Sequence, residues 1–163
     1  MRLSQSLGGS FPSWGPRCRS GTATGSFARH ILAACDPTEL HLIDIDLSQL
    51  DGSVAAEPKV ITHKGLSHQV LEQFPNSHFD WIYIDADHSY IGVLRDAKVA
   101  ARKVKPGGYL VFNDFAHADP FLGTYGVHRA VVDFAISHVW PFAWIAYEPN
   151  ALYDVVLKRP TQS

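Results

Sequence analysis

Two short apolar runs near the middle of the chain each end in side chains that can do chemistry. The runs cover residues 79–84 and 109–112, and the polar residues that follow them are Asp85, Asp87, His88, Asn113 and Asp114. Each run is too short for a helix and is typical of a buried parallel strand. Ligands of open α/β sheets bind outside the carboxyl ends of the strands, so we expect these side chains to converge there. Such a site can exchange a proton through His88 near neutral pH.

The elements that must position these residues alternate along the chain. Predicted strands cover residues 39–46, 59–63, 79–85, 109–115, 142–147 and 151–157, and predicted helices follow Ser26, surround Val70 and cover 91–104 and 127–134. Residues 47–58 are polar and are predicted to connect two strands. The last two strands are joined by Pro149-Asn150, which predicts a hairpin. The order predicts a Rossmann-like three-layer α/β/α sandwich whose mostly parallel sheet ends in an antiparallel strand pair.

A glycine-rich turn precedes the first predicted helix. Gly21 and Gly25 lie four positions apart in GTATGSF, and Ser26 is predicted to cap the helix that follows. Asp44 stands 19 positions after Gly25, close to the spacing at which an acidic residue binds ribose hydroxyls in nucleotide-binding sheets. The alternative is that the glycines serve only a turn with positive φ.

The amino-terminal segment does not fit this plan. Residues 1–20 combine glycine, proline, serine and arginine without a strand or helix period, so they predict an irregular segment. A doubly wound sheet needs a central strand just before its glycine turn, and we therefore expect the first strand to be atypical or missing. The predicted organisation is an irregular segment at 1–20, one domain at 21–159 and a tail at 160–163.

Composition narrows the class of protein. The chain has 163 residues, 46% of them hydrophobic, which suits one domain with a core of its own. A net charge of −2 favours neither nucleic acid nor an anionic membrane, and a small-molecule substrate is the expected partner. Two cysteines, Cys18 and Cys35, and no apolar run of membrane-spanning length predict a cytoplasmic protein. Open sheet edges leave a homo-oligomer as a further expectation.

Three strings together resemble a known family. GTATGSFARHIL, ELHLIDID and FDWIYIDADHSYIGVLRDAKVAARKVKPGGYLVFNDF are similar to the class I S-adenosylmethionine-dependent methyltransferases, and most similar to the branch of the macrocin-type sugar and catechol-type O-methyltransferases. The resemblance covers residues 21–157, and the order and spacing of the motifs carry it. It implies an enzyme that transfers a methyl group from S-adenosylmethionine to a small hydroxylated acceptor, with help from Mg²⁺.

The resemblance also implies roles for single residues. The implied cofactor-binding residues are Gly21, Thr22, Gly25, Asp44, Ile45 and Asp85. Asp85, Asn113 and Asp114 match the family's magnesium ligands, and oxygen donors of this kind suit that ion. His88 matches a proposed general base beside Asp85, and these two residues are the implied catalytic pair.

Simpler interpretations and other functions remain open. Asp85 and Asp114 can instead cap the following helix, and His88 can be a hydrogen-bonded loop histidine. Asp87 is expected to contact the substrate, or to hydrogen-bond to a metal-binding residue without binding the metal itself. His117 and His128 are weaker candidates for the general base. A non-catalytic or truncated methyltransferase-like module that acts through protein contacts is the main alternative function. A nicotinamide dehydrogenase is disfavoured because GTATG lacks the GxGxxG spacing.

Overall fold

The computed structural model describes residues 17–20, 24–116, 118–119, 123–146 and 153–161, and for 17–20, 118–119 and 123–124 the backbone alone. The strands are β1 Arg17–Ser20, β2 Leu40–Asp44, β3 Val60–Lys64, β4 Phe79–Ile84, β5 Val104–Phe112, β6 Ala118–Asp119, β7 Gly123–Thr124, β8 Phe142–Ala146 and β9 Asp154–Lys158. The helices are α1 Ser26–Cys35, α2 Gly52–Ala55, α3 Ser67–Glu72, α4 Tyr90–Lys103 and α5 Val127–His138.

Seven strands form one sheet in the order β3-β2-β1-β4-β5-β9-β8. The first five of these are parallel, while β9 is antiparallel to both β5 and β8. The predicted fold class and the antiparallel pair at the carboxyl-terminal side are therefore confirmed. The predicted turn at Pro149-Asn150 lies outside the described residues. No helix in the described part of the chain is long and apolar enough to cross a membrane.

The first strand, expected to be atypical or missing, is present, and its sequence is atypical. Arg17–Ser20 forms β1, which pairs in parallel with β2 on one side and with β4 on the other. It is therefore the middle one of the five parallel strands, although the sequence predicted an irregular segment there. RCRS has no apolar run, and its place in the sheet follows from backbone pairing with two neighbours that bury apolar side chains.

Helices cover both faces of the sheet, as the three-layer prediction requires. On one face, α3, α4 and α5 bury apolar stripes against β4 and β5, around Phe79, Phe112 and Phe134. On the other face, α1 and α2 pack over β2 through Ala28, Ile31 and Val54, together with Leu40 and Leu42. The burial on both faces explains why β2 and β4 read as continuous apolar runs rather than as alternating ones.

One buried lysine connects two of these helices. Lys103, at the end of α4, is 5% exposed, and its Nζ donates to the main-chain oxygens of Glu72 at 3.3 Å and Phe74 at 2.8 Å. The side-chain oxygen of Asn76 accepts a further hydrogen bond at 3.1 Å, and a carboxylate oxygen of Glu72 lies 3.6 Å away. Lys103 therefore satisfies carbonyl groups that the end of α3 would otherwise leave unpaired.

Candidate active site

The sheet brings the polar residues after β4 and β5 into contact. Ile84 and Phe112 are paired at the carboxyl ends of these strands, and Asn113 N continues the pairing by donating to Ile84 O at 3.1 Å. Asn113 Nδ2 then donates to Asp85 Oδ1 at 3.0 Å. The side chains that follow two separate apolar runs thus meet at one edge of the sheet, next to the central strand β1.

His88 lies between two carboxylates. Its Nε2 is 3.4 Å from Asp85 Oδ1 and 3.6 Å from Asp114 Oδ2. Asp114 reaches this position from a backbone with φ of 52°, a left-handed conformation that aspartate tolerates better than most residues. The buried Nε2 atom is not aligned for a hydrogen bond with either carboxylate.

The two carboxylates set the protonation of His88. The Asp85 carboxylate, 3.4 Å from Nε2, is the main cause that holds the pKa of His88 above its usual value, and burial opposes it. The negative charges of Asp114 and Asp87 act in the same direction as Asp85. The imidazole of His88 is therefore a stronger proton acceptor than a solvent-exposed histidine.

The segment before α5 holds His88 in place through a stacked aromatic ring and a backbone hydrogen bond. The ring of Tyr125 stacks on the imidazole, with centroids 4.6 Å apart and planes 14° from parallel. The next residue, Gly126, donates its N–H to His88 O at 2.8 Å. A Cβ on Gly126 would lie 2.2 Å from the backbone nitrogen of Tyr90, so only glycine fits this approach to the start of α4.

Gly126→Ala is expected to displace Tyr125 from His88 and to lower the free energy of unfolding by about 1–3 kcal/mol, the usual cost of overpacking. The added methyl group would meet backbone atoms, which cannot rotate away. Chemical denaturation measures the stability change. The control is Gly52→Ala, where an added Cβ has no neighbour within 4 Å and alanine should be neutral or slightly stabilising. Equal stability of Gly126→Ala and the unmodified protein would contradict the prediction.

Two residues that were not predicted as site residues, Tyr83 and Asp154, help to orient the Asn113 amide. The hydroxyl of Tyr83 lies 3.0 Å from Asn113 Oδ1 and 3.0 Å from Asp154 Oδ2, so its one proton is shared between these acceptors. Tyr83 is a buried residue of β4, 4% exposed. Through this hydroxyl, β9 contributes Asp154 to the network that orients the Asn113 amide.

The glycine turn is described from Thr24 onward, and Gly21 and Thr22 lie outside the described residues. Gly25 adopts a φ of 82° and, rather than Ser26, is the N-cap residue of α1. A Cβ there would lie 2.7 Å from Leu50 Cδ1, so the turn requires glycine for both its backbone and its packing. Asp51 N donates to Thr24 O at 3.2 Å and thereby attaches the start of α2 to the turn.

The helix α2 lies where the sequence predicted only a connection. Asp51 caps it, since its carboxylate accepts from Ser53 N at 2.8 Å, and also pairs with Arg29 of α1 at 2.5 Å. Asp44 ends β2 beside β1, and the next side chain, Ile45, is 62% exposed at the same edge. An acidic and an apolar side chain thus stand together beside the glycine turn.

The other residues that the sequence suggested for the site are Asp87, His128 and His117. Asp87 accepts a hydrogen bond from Ser89 N at 2.8 Å and packs against Gly92, so it supports the start of α4. Ser89 caps α4 through Gly92 N, which leaves neither Asp85 nor Asp114 in a capping role. His128 is exposed on α5 and contacts Phe115, with ring centroids 4.8 Å apart. His117 lies outside the described residues.

The residues at this site offer oxygen atoms, which is the type of ligand that Mg²⁺ prefers. Asp85 and Asp114 present carboxylate oxygens on either side of His88, and hard oxygen ligands are those that Mg²⁺ prefers. Asn113 directs its amide nitrogen to Asp85 and its amide oxygen to Tyr83. The Asn113 amide must turn over, and His88 must move aside, before all three oxygens can face one ion.

Comparison with solved structures shows the class to which this fold belongs. The chain is 14% identical to an O-methyltransferase family protein from Burkholderia thailandensis, with a TM-score of 0.72 over 99% of this chain and 57% of that one. A SAM dependent methyltransferase from Aquifex aeolicus is 13% identical, with a TM-score of 0.71 over 96% of this chain and 89% of that one. At such identities the likeness shows the fold, which is that of the class I methyltransferases.

Sequence comparison identifies the family to which the chain belongs. A family model described as a methyltransferase domain matches residues 18–115, more than half of the chain, and the chain belongs to this methyltransferase family. Uncharacterized protein R132 of Acanthamoeba polyphaga mimivirus is 30% identical over 95 residues, which cover 56% of this chain and 42% of that protein. The chain thus matches less than half the length of this curated relative.

Proposed function

We propose that this chain is an S-adenosylmethionine-dependent O-methyltransferase that acts on a small hydroxylated acceptor with the help of Mg²⁺. The observation that carries the proposal is the meeting of Asp85, His88 and Asp114 at the carboxyl edge of a methyltransferase-type sheet. The sugar and catechol methyltransferases that the sequence resembles act on hydroxyl groups, which supports oxygen as the accepting atom.

The cofactor site is assigned to the edge formed by β1, β2 and β4. Asp44 would accept hydrogen bonds from the ribose hydroxyls, and the exposed Ile45 would cover one face of the adenine. The turn from Gly21 to Gly25 would approach the methionine end of the cofactor. When bound, S-adenosylmethionine supplies the electrophilic methyl group, and Mg²⁺ lowers the pKa of the acceptor hydroxyl.

The chain's own residues would then position and deprotonate the acceptor. Asp85 and Asp114 would bind the magnesium ion, and His88, moved aside from its position between them, would accept the hydroxyl proton on Nε2. In the metal-free protein these carboxylates hold the pKa of His88 above its usual value, which supports His88 as the proton acceptor. Tyr125 stacks on the imidazole and restricts the orientations that the ring can adopt.

Calorimetric titration with S-adenosylmethionine, with and without Mg²⁺, tests the proposal. We expect one cofactor per chain, and Asp44→Ala should weaken binding by about 10- to 100-fold through the loss of charged hydrogen bonds. Asp46→Ala is the matched control, since the Asp46 carboxylate accepts from Ser48 two residues on. Absence of cofactor binding in both conditions, or equal losses in the two variants, would remove the basis of the proposal.

The composition of β1 favours a second candidate function. β1 has only four described residues, and its sequence RCRS lacks the apolar run expected at the centre of a sheet. A non-catalytic module that keeps the fold and acts through protein contacts is consistent with this feature. Such a module would unfold cooperatively, and saturating S-adenosylmethionine would leave its melting temperature unchanged, whereas a ligand that binds the native state must raise it.

A further inference from the structure

A second group of polar side chains lies at the amino-terminal ends of the parallel strands, opposite the candidate active site. Glu39 directly precedes β2, His41 lies within that strand, and His78 directly precedes β4. The six residues of β4 separate His78 from Asp85. At about 3.3 Å per residue, this cluster is on the order of 20 Å from the candidate active site.

The three side chains are spaced like ligands of one ion. One ligand atom from each of Glu39, His41 and His78 lies within 4.8 Å of the other two. His41 Nε2 and Glu39 Oε2 are 3.3 Å apart. Ligand atoms of a tetrahedral zinc site with bonds of about 2.1 Å stand roughly 3.4 Å apart, so this pair already has the spacing of two ligands of one ion.

The surroundings of His41 hold its imidazole in the orientation that a ligand needs. His41 is 5% exposed, and the rings of Phe74 and Phe79 pack edge-on against it at 5.0 and 5.5 Å. Its Nδ1 lies 3.0 Å from His63 Nε2, which leaves Nε2 directed at Glu39. Ligating histidines commonly have their second ring nitrogen fixed by such an outer partner.

The cluster is also accessible and in a suitable charge state. The Glu39 side chain is 48% exposed and His78 is partly exposed, so an ion can enter from solvent although His41 is buried. Burial lowers the pKa of His41 and of His63, which keeps the imidazoles in their neutral form at neutral pH. Neutral imidazole is the form that coordinates a metal.

We propose that Glu39, His41 and His78 bind one Zn²⁺ ion. Two imidazole nitrogens and a carboxylate oxygen form a common zinc donor set with a fourth position for water, while Mg²⁺ prefers oxygen ligands throughout. Because β1 lies between β2 and β4, the ion would join the two strands that flank the short central strand. The ion would thus stabilise the sheet at the edge that does not carry the candidate active site.

Calorimetry with ZnCl₂ in a buffer that contains Mg²⁺ tests the site. We expect one tightly bound Zn²⁺ per chain and a rise in melting temperature. His78→Ala and Glu39→Gln should each weaken Zn²⁺ binding by at least about tenfold, which is the loss that even outer partners cause. His30→Ala, at an exposed histidine of α1, is the control for adventitious binding and should bind as the unmodified protein does.

Asp85→Asn separates this site from the candidate active site, where carboxylates and His88 also offer zinc ligands. The variant should keep the same Zn²⁺ affinity. Melting curves in the presence of a chelator establish that each variant is folded. The alternative is an ion-free hydrogen-bonded chain from His63 through His41 to Glu39. Zn²⁺ binding that is absent from the unmodified protein, or that is unchanged in His78→Ala and Glu39→Gln, would overturn the proposal in favour of this chain.

Discussion

Asp85→Asn is expected to lower the rate of methyl transfer by about 10²- to 10⁴-fold, the range associated with loss of a positioned acid or base. Asp85 Oδ1 accepts from Asn113 and lies 3.4 Å from His88 Nε2, so one carboxylate serves both the proposed base and the proposed metal site. Asparagine has the same shape but no charge. The fold should therefore persist while the dependence of the rate on Mg²⁺ is lost.

The matched control is Asp87→Asn, which removes a carboxylate two residues away that faces Ser89 and Gly92. This variant should keep most of the activity, with a modest loss of stability from the start of α4. Steady-state rates at saturating S-adenosylmethionine measure the contrast. If both variants lose activity equally, the effect belongs to the loop rather than to the Asp85 carboxylate.

The same substitution has a second readout that needs neither metal nor substrate. In the metal-free protein, Asp85 is the main cause of the raised pKa of His88. The titration midpoint of the His88 ring, measured by NMR, should lie above the usual 6.5 in the unmodified protein and should fall in Asp85→Asn. Because the raised pKa stabilises the folded state below pH 6.5 and that stability is lost as the pH rises through the folded-state value, the substitution should flatten this dependence.

Lys103→Ala is expected to lower the free energy of unfolding by about 2–3 kcal/mol, the scale of a hydrogen bond to a charged group. The buried Nζ donates to the carbonyls of Glu72 and Phe74 and to Asn76, and alanine leaves all three acceptors without it. Water can reach part of this region because the Glu72 side chain is 50% exposed, which keeps the loss below that of a fully buried ion pair.

Urea denaturation of Lys103→Ala and Lys98→Ala measures the difference directly. Lys98 lies on the same helix with an exposed side chain, and its truncation should change stability by no more than about 0.5 kcal/mol. A Lys103→Ala loss as small as that of Lys98→Ala would show that the end of α3 does not depend on this contact. Far-UV circular dichroism establishes that both variants keep their helices.

Most of the architecture was predictable because apolar runs and turn residues are local signals. The strands β2, β4 and β5 bury most of their apolar residues, and these mainly apolar segments are the signal from which the strands were predicted. β1 was missed for the opposite reason. Its four residues carry no apolar run, and its position follows from pairing with β2 and β4, which no property of RCRS reveals.

Some residues of the candidate site could likewise be predicted from the sequence, and others could not. Asp85, Asn113 and Asp114 could be placed together because they follow strands whose carboxyl ends must share one edge of a parallel sheet. The contribution of Asp154 could not, since it depends on β9 lying antiparallel beside β5 and on the Tyr83 hydroxyl reaching it. The stacking of Tyr125 on His88 likewise depends on the fit of Gly126 against Tyr90, which is a tertiary property.

The interior position of β9 has a consequence for synthesis on the ribosome. β9 follows every other described strand in the sequence, yet it separates β5 from β8 in the sheet. A nascent chain that has not yet emerged past Lys158 therefore exposes the edge of β5 and has nothing to which β8 can attach. During that interval the unpaired edge is open to aggregation or to a chaperone, and the seven-stranded sheet can form only after β9 has emerged from the ribosome.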